Sequence, residues 1–283
     1  MNIYPYIQLM RPAQWLKNLM IFFPAFLGGG LLSAGSWQKG GGPFLAFCLV
    51  SSATYIVNDI RDVENDVLHP KKQKRPIASG RVSRFQAIIL GGGCLFAGFA
   101  FTWGVSHLFL LYLTLYLIVS ISYSLKLKEY PLVDVFCISS GFLFRLLGGG
   151  QVFEVEISDW LFLSVFLLSL FLSFGKRHSE KNLLGEVAGS HRQSLGHYPQ
   201  GVLETLMVIS GASVLVTYML YVITKGKLLY TVPLCCFGLF RYILIVKRGE
   251  NGDPTSALLK DPVLFAIGLI WVLMVGFSIY GMS

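Results

Sequence analysis

The chain of 283 residues is 54% apolar and only 13% charged, with a mean hydropathy of +0.63, against roughly 25% charged residues in ordinary soluble domains. Apolar stretches long enough to cross a bilayer as helices recur along its whole length. A soluble globular enzyme, a disordered tail and a nucleic-acid module are therefore excluded, and the formal charge of +8 asks for a membrane explanation.

Hydropathy and chain breakers predict nine spans, near 15–34, 43–60, 85–105, 107–125, 131–152, 159–175, 201–224, 228–246 and 262–282. Helices are the expected form, because each stretch is far longer than a membrane strand and backbone groups in lipid must be paired within the segment. The first 36 residues imitate a signal peptide, with Arg11 and Lys17 before an apolar run, but the charge pattern works only if that run stays as a span. The five cysteines, Cys48, Cys94, Cys137, Cys235 and Cys236, lie in apolar segments without metal-ligand spacing and read as small packing residues. Glycine triplets at 28–30, 91–93 and 148–150 suit close helix packing.

Nine alternating spans place the N-terminus and the stretches 61–84, 126–130, 176–200 and 247–261 on one face, with eighteen of the 23 lysines and arginines. Lys39, Lys225 and Lys227 fall on the other face, and Arg145 and Arg241 within spans. The positive-inside rule makes the cation-rich face cytoplasmic, N-terminus included. The expectation is an all-α integral membrane protein with one transmembrane domain over 1–283, sited in the plasma (inner) membrane. Its site loops, near 58–84, 122–134 and 175–200, face the cytoplasm. Trp15, Lys17 and Arg241 suit interface anchors, and His178, His191 and His197 suit solvated positions.

The polar residues of Asn58-Asp59-Ile60-Arg61-Asp62-Val63-Glu64-Asn65-Asp66 recur every four positions at the mouth of the second span. On a helix Asn58, Asp62 and Asp66 share one face, widened by Asp59. Carboxylates at i and i+4 repel, and a hard cation held by carboxylate oxygens, water and phosphate removes the conflict, which is the manner in which Mg²⁺ binds. The plain alternative is a solvated helix end. Five cations follow between Lys71 and Arg81. Beside the carboxylates they suit the remaining oxygens of a metal-bound polyphosphate, although alone they read equally as a lipid-headgroup anchor.

The pattern N-D-x-x-D-x-x-x-D at 58–66, followed by R-P-x-x-S-G at 75–80, resembles the first signature of the UbiA superfamily of intramembrane prenyltransferases. Further segments are similar to the branch of that superfamily that transfers phosphoribose to polyprenyl phosphates. They are Arg11-Pro12-x-Gln14-Trp15-x-Lys17-Asn18, Val63-Glu64, His69-Pro70, Tyr123-Ser124 to Leu127-Lys128, Val133-Asp134, Arg145 with Gly148–Gly150, Gly175-Lys176-Arg177 and Arg241-Tyr242.

The resemblance implies a helical bundle around a cavity open to the membrane, with Mg²⁺ as cofactor. Asn58, Asp59, Asp62 and Asp66 are then the metal ligands, and the three aspartates the catalytic set. Phosphoribosyl pyrophosphate falls to Asn58, Lys72, Arg75, Lys17, Lys176 and Arg177, and the polyprenyl phosphate acceptor to Tyr123, Lys126, Lys128, Asp134 and Arg145. Many aromatic prenyltransferases of the superfamily carry a second aspartate-rich motif after the fourth span. Here that loop holds Lys126 and Lys128 with only Glu129 and Asp134 as acids, which suits an acceptor bringing its own phosphate. The product would feed arabinose-donor synthesis for cell-wall glycans. An aromatic prenyltransferase of the same fold and a secondary transporter are the competing readings. The expected partners are the two substrates and the lipid bilayer, with no nucleic acid; a homo-oligomer is left open.

Overall fold

In a computed structural model of the chain, residues 3–68, 72–185, 189, 192–226, 228–249 and 252–281 are described, and no strand occurs among them. His69, Pro70, Lys71, His191 and Lys227, named above, lie outside the described residues. The α-helices are α1 (Tyr4–Met10), α2 (Phe23–Leu27), α3 (Ser36–Arg61), α4 (Val63–Leu68), α5 (Arg84–Ala100), α6 (His107–Leu125), α7 (Val133–Phe153), α8 (Asp159–Leu184), α9 (Gln193–Gly196), α10 (Val202–Lys225), α11 (Val232–Lys247), α12 (Pro254–Lys260) and α13 (Pro262–Tyr280).

Short polar side chains start the long helices where the sequence leaves the apolar runs. Ser83 and Gln86 form a reciprocal capping box on α5, and Ser106, Ser158 and Asp261 each accept from the backbone N–H three residues on, at 3.1, 3.3 and 2.7 Å. Each satisfies a donor that the first helical turn leaves unpaired.

Among the described residues seven helices are long and apolar enough to cross a membrane: α3, α6, α7, α8, α10, α13, and α11 with the 3₁₀ turn that precedes it. The third predicted span is the shorter apolar helix α5. The first is not one helix: a 3₁₀ helix, Pro12–Phe22, leads into α2, and turns occupy residues 28–35. Pro12 and Pro24 sit at the starts of these two pieces, where a missing N–H costs nothing. The sixth span is also longer than predicted, since α8 continues to Leu184, so Lys176 and Arg177 lie on a helix and not in a loop.

Packing closes into a circuit: α5 on α3, α3 on α6, α6 on α7, α7 on α8, α8 on α10 and α11, α11 on α13, and α13 on α2. The 3₁₀ segment packs against both α3 and α7. Gly149 permits this approach, because a Cβ there would run into the Ile21 backbone carbonyl. Gly175 does the same for α11, where a Cβ would stand 2.6 Å from the Tyr242 ring. The Tyr242 hydroxyl meanwhile donates to the carbonyls of Leu172 and Gly252 at 3.0 and 2.7 Å. Trp15, read as an interface anchor, is half-buried and donates its indole N–H to Ser52 Oγ at 3.0 Å. The cysteines are free and buried or half-buried, as packing residues are.

Candidate functional site

The acidic face forms where α3 ends. Asp62 leaves helical geometry as the C-cap of α3, yet its N–H still reaches the Asn58 carbonyl at 2.9 Å, and the Asp66 N–H reaches the Asp62 carbonyl at 2.8 Å. The spacing of four therefore survives the break between α3 and α4. Asp59 and Asp66 are buried, and each carboxylate meets a cation from a distant segment. Arg11, at the left-handed residue after α1, pairs with Asp59 and lies over the Tyr55 ring. Arg75 Nη1 stands 3.0 Å from Asp59 Oδ1 and 2.6 Å from Asp66 Oδ2. Lys128, on the 3₁₀ turn between α6 and α7, pairs with Asp62 and lies 3.5 Å from Asn58 Oδ1.

Because one Arg75 nitrogen touches both oxygens, at 3.0 and 2.6 Å, Asp59 Oδ1 and Asp66 Oδ2 lie close to one another. Two carboxylates this close favour a cation between them. Their oxygens are the hard donors that Mg²⁺ takes, so the donor set fits that ion. Among the described residues no group of three acidic, histidine or cysteine side chains is gathered tightly enough to hold a metal; here arginine and lysine satisfy the carboxylates.

The loop 72–82 carries Arg75 and is held by its own contacts. Ser79 Oγ donates to the Arg75 carbonyl at 2.7 Å, Arg81 Nη2 donates to the Lys74 carbonyl at 2.6 Å, and Gly80 takes a φ of 73°. Ile77 and Val82 anchor it among Leu9, Ile56 and Ala87. Burial, and then the neighbouring Arg75 charge, hold the Lys72 ammonium below its usual pKa, against the opposing pull of Glu180 and Asp66. The charges of Asp66 on α4 and Glu180 on α8 thus both reach Lys72.

A second cluster lies behind the first. Asp134 is fully buried and accepts from Arg177 Nε at 2.8 Å, Arg192 Nη2 at 3.1 Å and the Tyr198 hydroxyl at 3.4 Å. The Tyr123 hydroxyl accepts from Arg177 and Arg192 at 3.2 and 2.8 Å, and Arg177 Nη1 reaches Glu180 at 2.6 Å. Burial pushes the Tyr198 hydroxyl up to about 12, so at neutral pH it keeps its proton as a donor. Tyr123, Asp134 and Arg177, assigned above to substrates, have their polar atoms turned to one another.

Arg145 is buried at 4% exposure, with Nε on Asn18 Oδ1 at 2.6 Å, Nη1 on the Gly141 carbonyl at 2.7 Å and its guanidinium 4.5 Å from the centre of the Tyr116 ring. The next residue along from Asn18, Lys17, is half-buried and within electrostatic reach of Lys176, Asp253 and Arg145. Lys176 pairs with Asp253 at 2.7 Å. Burial alone would raise the Asp253 carboxyl, but the Lys176 charge and hydrogen bond prevail and hold it below the usual carboxylate range. Lys126 is exposed, with no ion pair or hydrogen bond to its ammonium among the described residues. Beside it an apolar groove of about 450 Å³ runs between α6 and α7, lined by Ile118, Ser122, Leu127, Leu132, Phe136 and Ser140 among others.

Sequence reasoning missed Arg11 as a site cation, although it stands in a quoted motif, and missed Glu180, Arg192, Tyr198 and Asp253, which carry no local signal. Arg241, read as an anchor, makes a two-pronged pair with Asp261 at 3.2 and 2.7 Å.

Residues 21–273 match the UbiA prenyltransferase family. A decaprenyl-phosphate phosphoribosyltransferase of Mycolicibacterium smegmatis is 32% identical, over 97% of this chain and 92% of that protein. One from Mycobacterium tuberculosis is 31% identical, over 96% and 93%. Among solved structures, a UbiA homolog from Archaeoglobus fulgidus bound to GPP and Mg²⁺ superposes with a TM-score of 0.76 at 20% identity, covering 98% of this chain and 99% of that one; at that identity it speaks for the fold.

Proposed function

The chain belongs to the UbiA prenyltransferase family, and from that premise we propose that it transfers 5-phosphoribose from phosphoribosyl pyrophosphate to a polyprenyl phosphate. The bond between ribose C1 and the pyrophosphate oxygen breaks, its electron pair leaves with pyrophosphate, and an oxygen of the acceptor phosphate bonds to C1. The observation that carries this reading is the similarity, at 31–32% identity over nearly the whole chain, to decaprenyl-phosphate phosphoribosyltransferases. The lysine-bearing loop at 126–128 supports it, because two cations suit an incoming phosphate better than a second metal-diphosphate cage.

Asp59, Asp62 and Asp66, with Asn58, are the residues that would hold Mg²⁺, which supplies neutralising charge to the leaving pyrophosphate. Arg75 and Lys72 take phosphate oxygens of the same group, Arg75 having carboxylate contacts that a phosphate can replace. Preorganised cations of this kind act by stabilising charge that develops as the bond breaks. The acceptor monoester, with a second pKa near 6, is largely dianionic at pH 7, so no general base is required. Lys126 and Lys128 orient it, and the groove between α6 and α7 suits its prenyl chain. Arg177, Tyr123 and Asp134 act as positioning residues through the buried network that also fixes Arg192, Lys17 and Lys176 serve the donor, and Arg145, expected at the acceptor phosphate, is bonded to Asn18 and the Gly141 carbonyl. The chain is a multi-pass membrane protein; in this proposal it sits in the inner (plasma) membrane, nine segments deep, with N-terminus and site at the cytoplasmic face, and serves arabinose-donor synthesis.

A donor swap tests the reading. Purified protein given labelled phosphoribosyl pyrophosphate, polyprenyl phosphate and Mg²⁺ is expected to yield labelled lipid, and a prenyl diphosphate with an aromatic acceptor to yield nothing. The reverse pattern supports an aromatic prenyltransferase, and uptake into proteoliposomes without conversion supports a transporter.

A further inference from the structure

Among the described residues three that are not glycine take a positive φ: Arg11, Leu132 and Glu154. Arg11 and Glu154 are helix C-caps in the ordinary left-handed region. Leu132 is different. It is the N-cap of α7, at φ 65° and ψ −49°, and the Val133 N–H beyond it reaches back to the Pro131 carbonyl at 2.8 Å. That is a three-residue turn of the rarer, strained kind. Leucine suits it badly on two counts, since a Cβ disfavours positive φ and an apolar side chain cannot cap a helix. Such a conformation persists only where its surroundings hold it.

The holding contact comes from Tyr198. Its hydroxyl accepts from the Leu132 N–H at 2.6 Å and donates to Asp134 Oδ1 at 3.4 Å. In a capping box the N-cap N–H is met by a glutamate or glutamine three residues into the helix. Here that position is Val135, and a tyrosine 66 residues along the chain supplies the acceptor. Tyr198 is itself well anchored. It belongs to the buried cluster that includes Val135, Phe171 and Leu195, and its carbonyl accepts from Lys181 of α8. Arg192, on the same segment, reaches the Tyr123 hydroxyl at 2.8 Å and Asp134 at 3.1 Å. What the turn governs is the loop of residues 126–134. Leu132 and Val133 line the groove between α6 and α7 together with Leu127, and in the same loop Lys128 pairs with Asp62 at the acidic mouth. The 3₁₀ turn Leu127–Glu129 and the fixed φ of Pro131 leave the loop little freedom to absorb a change at Leu132.

Resting on the phosphoribosyl-transfer reading, we propose that Tyr198 is a positioning residue for the lipid acceptor: its hydroxyl holds the strained turn at Leu132, and the turn sets where the groove wall and the lysines of the 126–134 loop meet the lipid phosphate. The tyrosine acts through the loop and not on the substrate. Without its hydroxyl the turn relaxes, Leu132 and Val133 are re-aimed at the groove, and Lys128 shifts relative to Asp62. The loop that carries Arg75, assigned to the donor, keeps its own contacts.

Tyr198→Phe removes the acceptor and keeps the ring, and Asp134 retains Arg177 and Arg192, so the variant should fold. Hydrogen–deuterium exchange of the purified full chain should then be about tenfold faster at the Leu132 amide, the scale of one buried hydrogen bond. In steady-state assays the KM for polyprenyl phosphate should rise about tenfold and that for phosphoribosyl pyrophosphate should not. Leu132→Gly accepts a positive φ without strain, so it should uncouple the pair. In that background Tyr198→Phe should change the lipid KM less than about twofold, a non-additivity that contact through the turn requires. Unchanged exchange at Leu132, a donor KM that rises as much as the lipid KM, or the same Tyr198→Phe effect with and without Leu132→Gly overturns the proposal. A wild-type chain that makes no phosphoribosyl lipid, yet binds polyprenyl phosphate at equilibrium about tenfold more tightly than Tyr198→Phe does, would uphold the positioning role and reject the transfer reading.

Discussion

The acidic mouth and the Asp134 network use the same chemistry, carboxylates matched to guanidinium and ammonium groups, but differ in how easily the match can be exchanged. At the mouth Arg75 is 24% exposed and its guanidinium, among the described residues, is held by the two aspartates it bridges. In the network Arg177 is 2% exposed, Asp134 is fully buried, and Tyr123 and Glu180 complete the guanidinium. Asp59 and Asp66 are buried, but Arg75 keeps a side towards water, so a metal or a phosphate can reach these carboxylates and take its place. A buried pair cannot lose one member without stranding the other. The first is built to change partners and the second to hold α7, α8 and the Arg192 segment in one arrangement.

The largest effect should come from the network. Asp134→Asn strands Arg177 and Arg192 and should cost about 3–5 kcal/mol of stability, read as a lowered thermal midpoint in detergent; an unchanged midpoint would erase the distinction between the two regions. Asp62→Asn should do the opposite. Turnover should fall about 10²–10³-fold, the scale of removing one preorganised electrostatic contact, with the thermal midpoint near wild type, and near-normal activity would remove Asp62 from the site. Lys126→Gln should raise the KM for the lipid phosphate about tenfold and leave the donor KM alone; a donor effect would place this lysine at the wrong substrate.

The smallest effect is a pH dependence. The folded Asp253 carboxyl lies below its ordinary range, so its stabilising contribution is complete above the unfolded carboxylate pKa and is lost as pH falls through the folded value. Acid unfolding curves of Asp253→Asn should therefore converge with wild type at low pH and separate above it. Parallel curves throughout would argue against the Lys176 pair.

The acidic face was legible because its period of four is local, and Asn58, Asp62 and Asp66 remain linked through the break at Asp62. Its partners were not, since Arg11 and Lys128 reach across 48 and 66 residues, distances at which a single sequence carries no pairing signal. Hydropathy found the long apolar helices but could not show that the first span breaks into a 3₁₀ helix and α2, because apolarity reports burial and not backbone winding. It also ended α8 too early: Lys176, Arg177 and Glu180 look like loop residues by polarity, and are helical because their charges are paired inside the bundle. Lys17 and Arg145 read as an anchor and a phosphate contact; only the fold brings the Asn18–Arg145 pair, Lys176 and Asp253 around them.

The central claim is that the exchangeable mouth serves phosphoribosyl transfer to a lipid phosphate. Mass spectrometry of polyprenyl phosphate recovered after incubation with the purified chain, phosphoribosyl pyrophosphate and Mg²⁺ tests it most directly. The account predicts a lipid heavier by one phosphoribosyl unit, formed with release of one pyrophosphate and absent with Asp62→Asn; lipid recovered unchanged from the wild-type reaction would contradict it.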